Sequence, residues 1–248
     1  MKILNCCLLE KSYNSIPVEA WKDGKSFQRF LPFIGVDKNV YDESGLEVTR
    51  RNLVTFLDVE TTVFFVTEEN IRKEFLTLKA HGFRNIVQYI PVRKNDFIEG
   101  LKKYLDKKKP DLIIMGKEST RLREGTSAAY IAEYLNWPCV GGVTDFSIEN
   151  ENSVKLKINT EDEIITEVIQ LPAVIVMGEA PELILKTPKR KDKLPFMEQM
   201  PEKTEFDVPN LNPENEELIH KEHIRKCSFI TGETGKKRLL DEVMGDSL

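Results

Sequence analysis

The sequence predicts an α/β protein built on a doubly wound parallel sheet. Short apolar runs alternate with amphipathic helical segments through residues 3–138, and this alternation is typical of parallel strands covered by helices on both faces. Between residues 143 and 171 the pattern changes to short alternating segments, which predicts antiparallel strands added to the sheet. After Glu179, six prolines stand among charged residues, and such a composition predicts an extended C-terminal arm.

Each element follows from a local pattern. Apolar runs predict parallel strands at residues 3–9, 59–67, 85–90, 111–115 and 173–177, and antiparallel strands at 143–148, 154–158 and 163–171. Helical spacing predicts helices at 68–80 and 97–108, one reaching Arg51 with Asp42 or Ser44 as its N-cap, and one from Thr126–Ser127 to Trp137–Pro138. Residues 10–38 lack periodicity and predict a long connection.

Length and composition suggest one domain with an extension. A chain of 248 residues with 40% hydrophobic content can bury a sizeable core. We assign residues 1–180 to the α/β domain and residues 181–248 to an arm that carries a terminal helix near 236–243. Because the arm has scattered apolar residues but no periodicity, we expect a partner subunit to order it.

Charge, hydrophobicity and cysteine spacing argue against nucleic-acid binding, membrane insertion and metal binding. The net charge of −5 gives no reason to expect nucleic acid. No apolar stretch is long enough for a membrane span, so we expect a cytoplasmic protein without membrane insertion. The four cysteines lack CxxC spacing, which argues against a metal site. Cys6 and Cys7 lie inside the first apolar run, so we expect them to be buried and unreactive.

The segment that joins the strand at 111–115 to the next helix is the candidate phosphate site. The strand ends at Gly116, and the polar loop that follows leads to a helix N-terminus, where backbone N–H groups and the helix dipole favour anions. The candidate ligands in this loop are Arg121, Arg123, Gly125, Thr126 and Ser127. The alternative is that the loop binds no ligand, because most strand–loop–helix turns have no ligand.

Four motifs, in order and spacing, resemble the beta subunit of electron transfer flavoprotein over nearly the whole chain. They are MKILNC at residues 1–6, NVYDE at 39–43 followed by Leu46 and Glu47, DLIIMGKE at 111–118 leading to IAEYLNWP at 131–138, and LPAV at 171–174. The second motif has Val40 where the family has proline. The loop has Arg121 and Arg123 where the family has aspartates.

The resemblance implies that the doubly wound domain at residues 1–180 is of the adenine-nucleotide-binding kind. It also implies an electron-carrying flavoprotein subunit rather than an enzyme, with no catalytic residue of its own. In this family the beta subunit forms a heterodimer with an alpha subunit that holds the redox FAD. The beta subunit binds AMP or, in electron-bifurcating members, a second FAD. A flavin-dependent dehydrogenase such as an acyl-CoA dehydrogenase supplies the electrons.

The resemblance also assigns residues by position. It places near the nucleotide Cys6, Cys7, Asn39, Asp42, Val66 and Gly116, with Gly125, Thr126 and Ser127 on the phosphate. It makes Leu185 the candidate anchor for docking the dehydrogenase. Two alternatives stay open, a scaffold subunit that binds no nucleotide and an ATP-binding enzyme on a related fold. The enzyme is disfavoured because no GxxxxGK[ST] motif occurs.

Overall fold

The computed structural model describes residues 1–13, 16–22, 24–31, 34–56, 58–91, 97–118, 126–160, 163–178, 180 and 183–204. The chain divides into two compact units, Met1–Asp207 and Val208–Leu248. All described residues belong to the first unit. The predicted terminal helix near 236–243 lies outside the described residues.

Helices and strands alternate along the first unit. The helices are α1 (Val18–Trp21), α2 (Gly24–Phe30), α3 (Val40–Thr55), α4 (Arg72–Ala80), α5 (Phe97–Lys107), α6 (Ser127–Leu135) and α7 (Arg190–Lys193), with a 3₁₀ turn at Leu194–Phe196. The strands are β1 (Lys2–Lys11), β2 (Val36–Lys38), β3 (Glu60–Val66), β4 (Asn85–Tyr89), β5 (Leu112–Gly116), β6 (Cys139–Asn150), β7 (Ser153–Asn159), β8 (Ile164–Gln170), β9 (Ala173–Met177) and β10 (Glu202–Thr204). Among the described helices, none combines the length and apolar character that crossing a bilayer demands.

The ten strands form one sheet whose order confirms the predicted fold class. Nine of them run β10-β4-β3-β1-β5-β9-β6-β7-β8, and β2 pairs with β1 outside that path. Pairing is parallel from β10 to β6 and antiparallel in β6-β7-β8 and β1-β2. The chain builds outward from β1 through β3 and β4, then returns to the other side of β1 with β5. Between β1 and β5 the winding therefore reverses, and this is where open α/β sheets bind ligands.

Both faces of the central strands are buried, which is why their sequences are continuously apolar. Cys6 of β1 packs on one face with residues of α5 and α6. Cys7 packs on the opposite face with residues of α3 and α4. Both thiols are free and buried, as expected from the sequence. Burial, and secondarily the negative charge of Asp42, raises the pKa of both thiols, so they remain protonated.

Some predicted boundaries were wrong. The N-cap of α3 is Asn39 rather than Asp42 or Ser44, since the Asn39 Oδ1 accepts a hydrogen bond from the Tyr41 N–H at 2.9 Å. Helix α4 begins at Arg72 instead of residue 68. Helix α6 ends at Leu135 instead of reaching Trp137, because its C-cap residue Asn136 takes a left-handed conformation with φ of 55°.

The segment at 10–38 is more structured than a plain connection. Strand β1 extends to Lys11, and β2 pairs back onto it, with Leu9 opposite Lys38 and Lys11 opposite Val36. Helices α1 and α2 lie between these strands. Both helices are short, and this explains why no helical periodicity was visible in the sequence.

The first unit also extends beyond the predicted boundary at residue 180. Leu183 packs against the core beneath α3, and Leu185 is buried in the core beside α4. Strand β10 then pairs in parallel with β4 from Glu202 opposite Val87 to Thr204 opposite Tyr89. The first part of the predicted arm is therefore integrated into its own domain. Whether a partner orders the remainder stays a prediction.

Candidate functional site

One carboxylate joins the two strands at the point where the winding reverses. Asp42 lies in the first turn of α3, above the carboxyl ends of β1 and β5. Its Oδ2 accepts a hydrogen bond from the Leu8 N–H at 3.2 Å, and its Oδ1 accepts one from the Gly116 N–H at 3.1 Å. The start of α3 is thereby fixed to both strands at the edge where a ligand is expected.

Gly116 makes this arrangement possible. A Cβ added at this position would lie 2.5 Å from the Asp42 Oδ1 and 3.0 Å from the Tyr41 Cβ. These distances are too short for a side chain to be accommodated at this position without a shift of its neighbours. The glycine that ends β5 therefore permits the close approach of α3 to the sheet.

Asp42 is buried, and no cation among the described residues is a resolved cause of its pKa shift. Its residue is 7% exposed. Burial raises the pKa of Asp42 to about 7, while the hydrogen bonds from the Leu8 and Gly116 N–H groups act in the opposite direction. Asp42 is consequently poised to change its protonation state near neutral pH.

Asn39 ties the loop after β5 to the same helix. Its side-chain Nδ2 donates a hydrogen bond to the backbone carbonyl of Glu118, while its Oδ1 caps α3. Asn39 is buried, so both bonds are partly shielded from water. Asn39 therefore holds the beginning of the predicted phosphate loop in place.

A crevice opens between these groups. It is open to solvent, and its cavity volume among the described residues is about 30 Å³. Its lining includes Cys6, Leu8, Asp42, Phe97, Gly116 and Ser127. Apolar walls beside a few polar groups are the usual composition of a small-molecule site.

The N-terminus of α6 faces this crevice through Ser127. Thr126 occupies the N-cap position with φ −93° and ψ −15°, and its side chain makes no capping hydrogen bond to the described residues. The first N–H groups of a helix have no partner within the helix, so they favour an anion in front of them. Arg121, Arg123 and Gly125, the other predicted phosphate ligands, lie outside the described residues.

The structure separates some residues that the sequence analysis grouped. Asp42, Gly116, Ser127 and the Cys6 part of β1 line the crevice. Asn39 lies in the turn just before Asp42. Val66 and Cys7 are not among the lining residues. Val66 packs in the same core cluster as Cys6, and Cys7 packs on the opposite face of the sheet.

Sequence reasoning missed several lining residues. They are Leu8, Phe97, Met115, Lys117 and Glu118. Met115 and Lys117 directly flank Gly116, the predicted end of a strand, so their position was available as a signal. Phe97 begins α5, and nothing in its sequence neighbourhood distinguishes it from an ordinary core residue.

Leu185 was expected to dock a partner, but it is only 6% exposed and packs in the core beside α4. It would have to leave that core to reach a partner, at a cost of the order of 2 kcal/mol or more. Within the described part of the same segment, the exposed large apolar side chains are Ile184, Leu194, Met197 and Met200.

Comparison with known proteins agrees with this architecture. Residues 95–194 match the family model described as the electron transfer flavoprotein domain. The matched region begins just before α5 and includes β5, α6, the antiparallel strands and β9. A comparison with curated proteins found no match. The match covers less than half of the chain, and it does not distinguish one subunit of electron transfer flavoprotein from the other.

Proposed function

We propose that the chain is the beta subunit of a heterodimeric electron transfer flavoprotein and binds an adenine nucleotide in the Asp42 crevice. The nucleotide is AMP or the adenylate part of a second FAD. The observation that carries this proposal is the position of the crevice, at the carboxyl ends of β1 and β5 and in front of the α6 N-terminus.

The chemistry of the lining residues suits an adenine nucleotide. Leu8, Phe97 and Met115 offer apolar surface for a planar base, and the Ser127 hydroxyl and the first N–H groups of α6 offer donors for phosphate. The carboxylate of Asp42 would repel phosphate, so we assign it to hydroxyl or amino donors instead. Arg121 and Arg123 would add positive charge on the phosphate side.

The chain then acts as an electron-carrier subunit rather than an enzyme. The bound flavin supplies the redox chemistry, and this chain's residues bind and orient the nucleotide. We assign the redox FAD to an alpha subunit and the electron source to a flavin-dependent dehydrogenase such as an acyl-CoA dehydrogenase. Because Leu194 is 57% exposed whereas Leu185 is buried, Leu194 is the better candidate for the docking anchor.

Nucleotides released from the protein copurified with its partner test this proposal. One FAD and one AMP per heterodimer support a simple carrier, and two FAD support a bifurcating protein. One FAD alone contradicts nucleotide binding by this chain and favours a scaffold subunit. A charge-assisted hydrogen bond is worth about 1.5–3 kcal/mol, so Arg121→Ala or Arg123→Ala should weaken nucleotide binding by roughly one to two decades.

A further inference from the structure

Strand β8 is the last strand on its side of the sheet. It pairs with β7 over seven residues, from Ile164 opposite Asn159 to Gln170 opposite Ser153, without a shift in register. Its other edge has no partner strand among the residues that the structure describes. Along that edge, backbone N–H and C=O groups are left available for pairing with another chain.

The side chains of β8 do not protect this edge. Ile164 is 61% exposed, Val168 52% and Ile165 38%. Proteins usually guard an open edge with charges, proline or a bulge, but β8 has no proline and no bulge in its pairing with β7. Glu167 is the sole charged residue in the strand. An apolar edge of this kind indicates an interaction surface.

A second copy of β8 fits the edge poorly. In the centred antiparallel register Glu167 would face its own copy, and like charges directly opposite one another are destabilising. A shift by two residues, which keeps side chains on the same faces, would put Glu167 opposite Ile165. Neither register gives Glu167 a cation. The free edge is therefore complementary to a different strand.

We propose that the free edge of β8 pairs with an extended strand of the partner subunit that carries β-branched or aromatic residues around one lysine or arginine opposite Glu167. Apolar side chains of that strand cover Ile164, Ile165 and Val168, and its basic side chain neutralises Glu167. The inference rests on the proposed heterodimer, because it takes the partner subunit as the source of the strand.

Charge reversal at the edge tests the pairing. Glu167→Lys places two cations opposite one another, so the dissociation constant of the heterodimer should rise tenfold or more, as measured by biolayer interferometry with this chain immobilised. The matched control is Glu151→Lys, the same change at an exposed glutamate in the turn between β6 and β7. The control should stay within twofold of the wild type. Equal effects of the two variants overturn the proposal.

Hydrogen exchange gives an independent measurement. Amides of residues 164–170 should exchange at least tenfold more slowly in the heterodimer than in the isolated full chain. If the heterodimer forms but exchange in β8 is unchanged, the strand pairing is overturned while the proposed function stands. If no heterodimer with a flavin-carrying subunit forms, both fail. A homodimer of the isolated chain that Glu167→Lys dissociates makes a second copy the occupant and also overturns the proposal.

Discussion

The pKa values of two carboxylates on α3 are shifted in opposite directions, although both residues are buried. Asp42, in the first turn, is 7% exposed, and Glu47, farther along the same helix, is 5% exposed. Burial raises the pKa of Asp42 to about 7. Glu47 instead accepts hydrogen bonds from Arg50 at 2.8 Å and from Arg51 at 3.1 Å, and these lower its pKa.

The difference teaches that a cation, and not burial alone, decides how a buried carboxylate behaves. Glu47 forms ion pairs with Arg50 and Arg51 along α3, and we call these pairs the ionic brace. Asp42 has backbone N–H groups instead, and it lines the crevice. A carboxylate that titrates near neutral pH in a crevice is a common feature of binding sites.

The largest expected effect is the pH dependence that Asp42 contributes to the folding stability of the protein. Its folded-state pKa lies above its unfolded value, so its contribution to stability is complete below about pH 4 and is lost as the pH rises to about 7. The free energy of unfolding of the wild type, relative to Asp42→Asn, should therefore fall by on the order of 4 kcal/mol across that window. Urea unfolding at a series of pH values measures it.

Asp42→Asn is the appropriate reference because its amide does not titrate. The amide oxygen can accept from only one of the Leu8 and Gly116 N–H groups, so we expect the variant to be less stable than the wild type at acidic pH. A difference between the two proteins that stays constant from pH 4 to 8 would contradict the assignment of a raised pKa.

Glu47 should make a smaller contribution to the pH dependence of stability, and this contribution should have the opposite sign. Its folded-state pKa is lowered, so its contribution is present above the unfolded pKa and is lost as the pH falls. The Arg50 and Arg51 side chains are 30% and 46% exposed, and solvent screens their charges. Glu47→Gln should therefore cost about 1 kcal/mol or less at pH 7 and nothing near pH 3, by the same unfolding measurement. A cost that grows toward low pH would rule out the ionic brace.

Much of the fold could be predicted because the central strands are buried on both faces. Burial on both faces requires continuous apolar runs, and the run at Ala173–Met177 was predicted with the bounds that the structure has. The contacts of Asp42 could not be predicted in this way. They join residues 34 and 74 positions apart, and the pattern of a single segment contains no information about such pairings.

The segment after β9 shows a different limit. Its lysines and prolines predicted an arm without a core, yet Leu185 is buried and β10 adds to the sheet. Isolated apolar residues carry no periodicity, so the sequence could not show which of them pack inward. The burial of Leu185 depends on a surface supplied by α4 and its neighbouring strands.

The central claim is that an adenine nucleotide places its phosphate at the N-terminus of α6, and Ser127→Asp tests it most directly. The helix dipole stabilises a carboxylate at this position, whereas the carboxylate repels phosphate. The variant should therefore keep its folding stability but bind the nucleotide more weakly. The control Asn70→Asp adds the same charge before α4 and keeps the oxygen that accepts from the Arg72 N–H. Isothermal titration of nucleotide-stripped protein with AMP should show a tenfold or greater loss of affinity for Ser127→Asp, with stability retained and the control unaffected. Equal AMP affinity in the wild type and both variants would contradict the account.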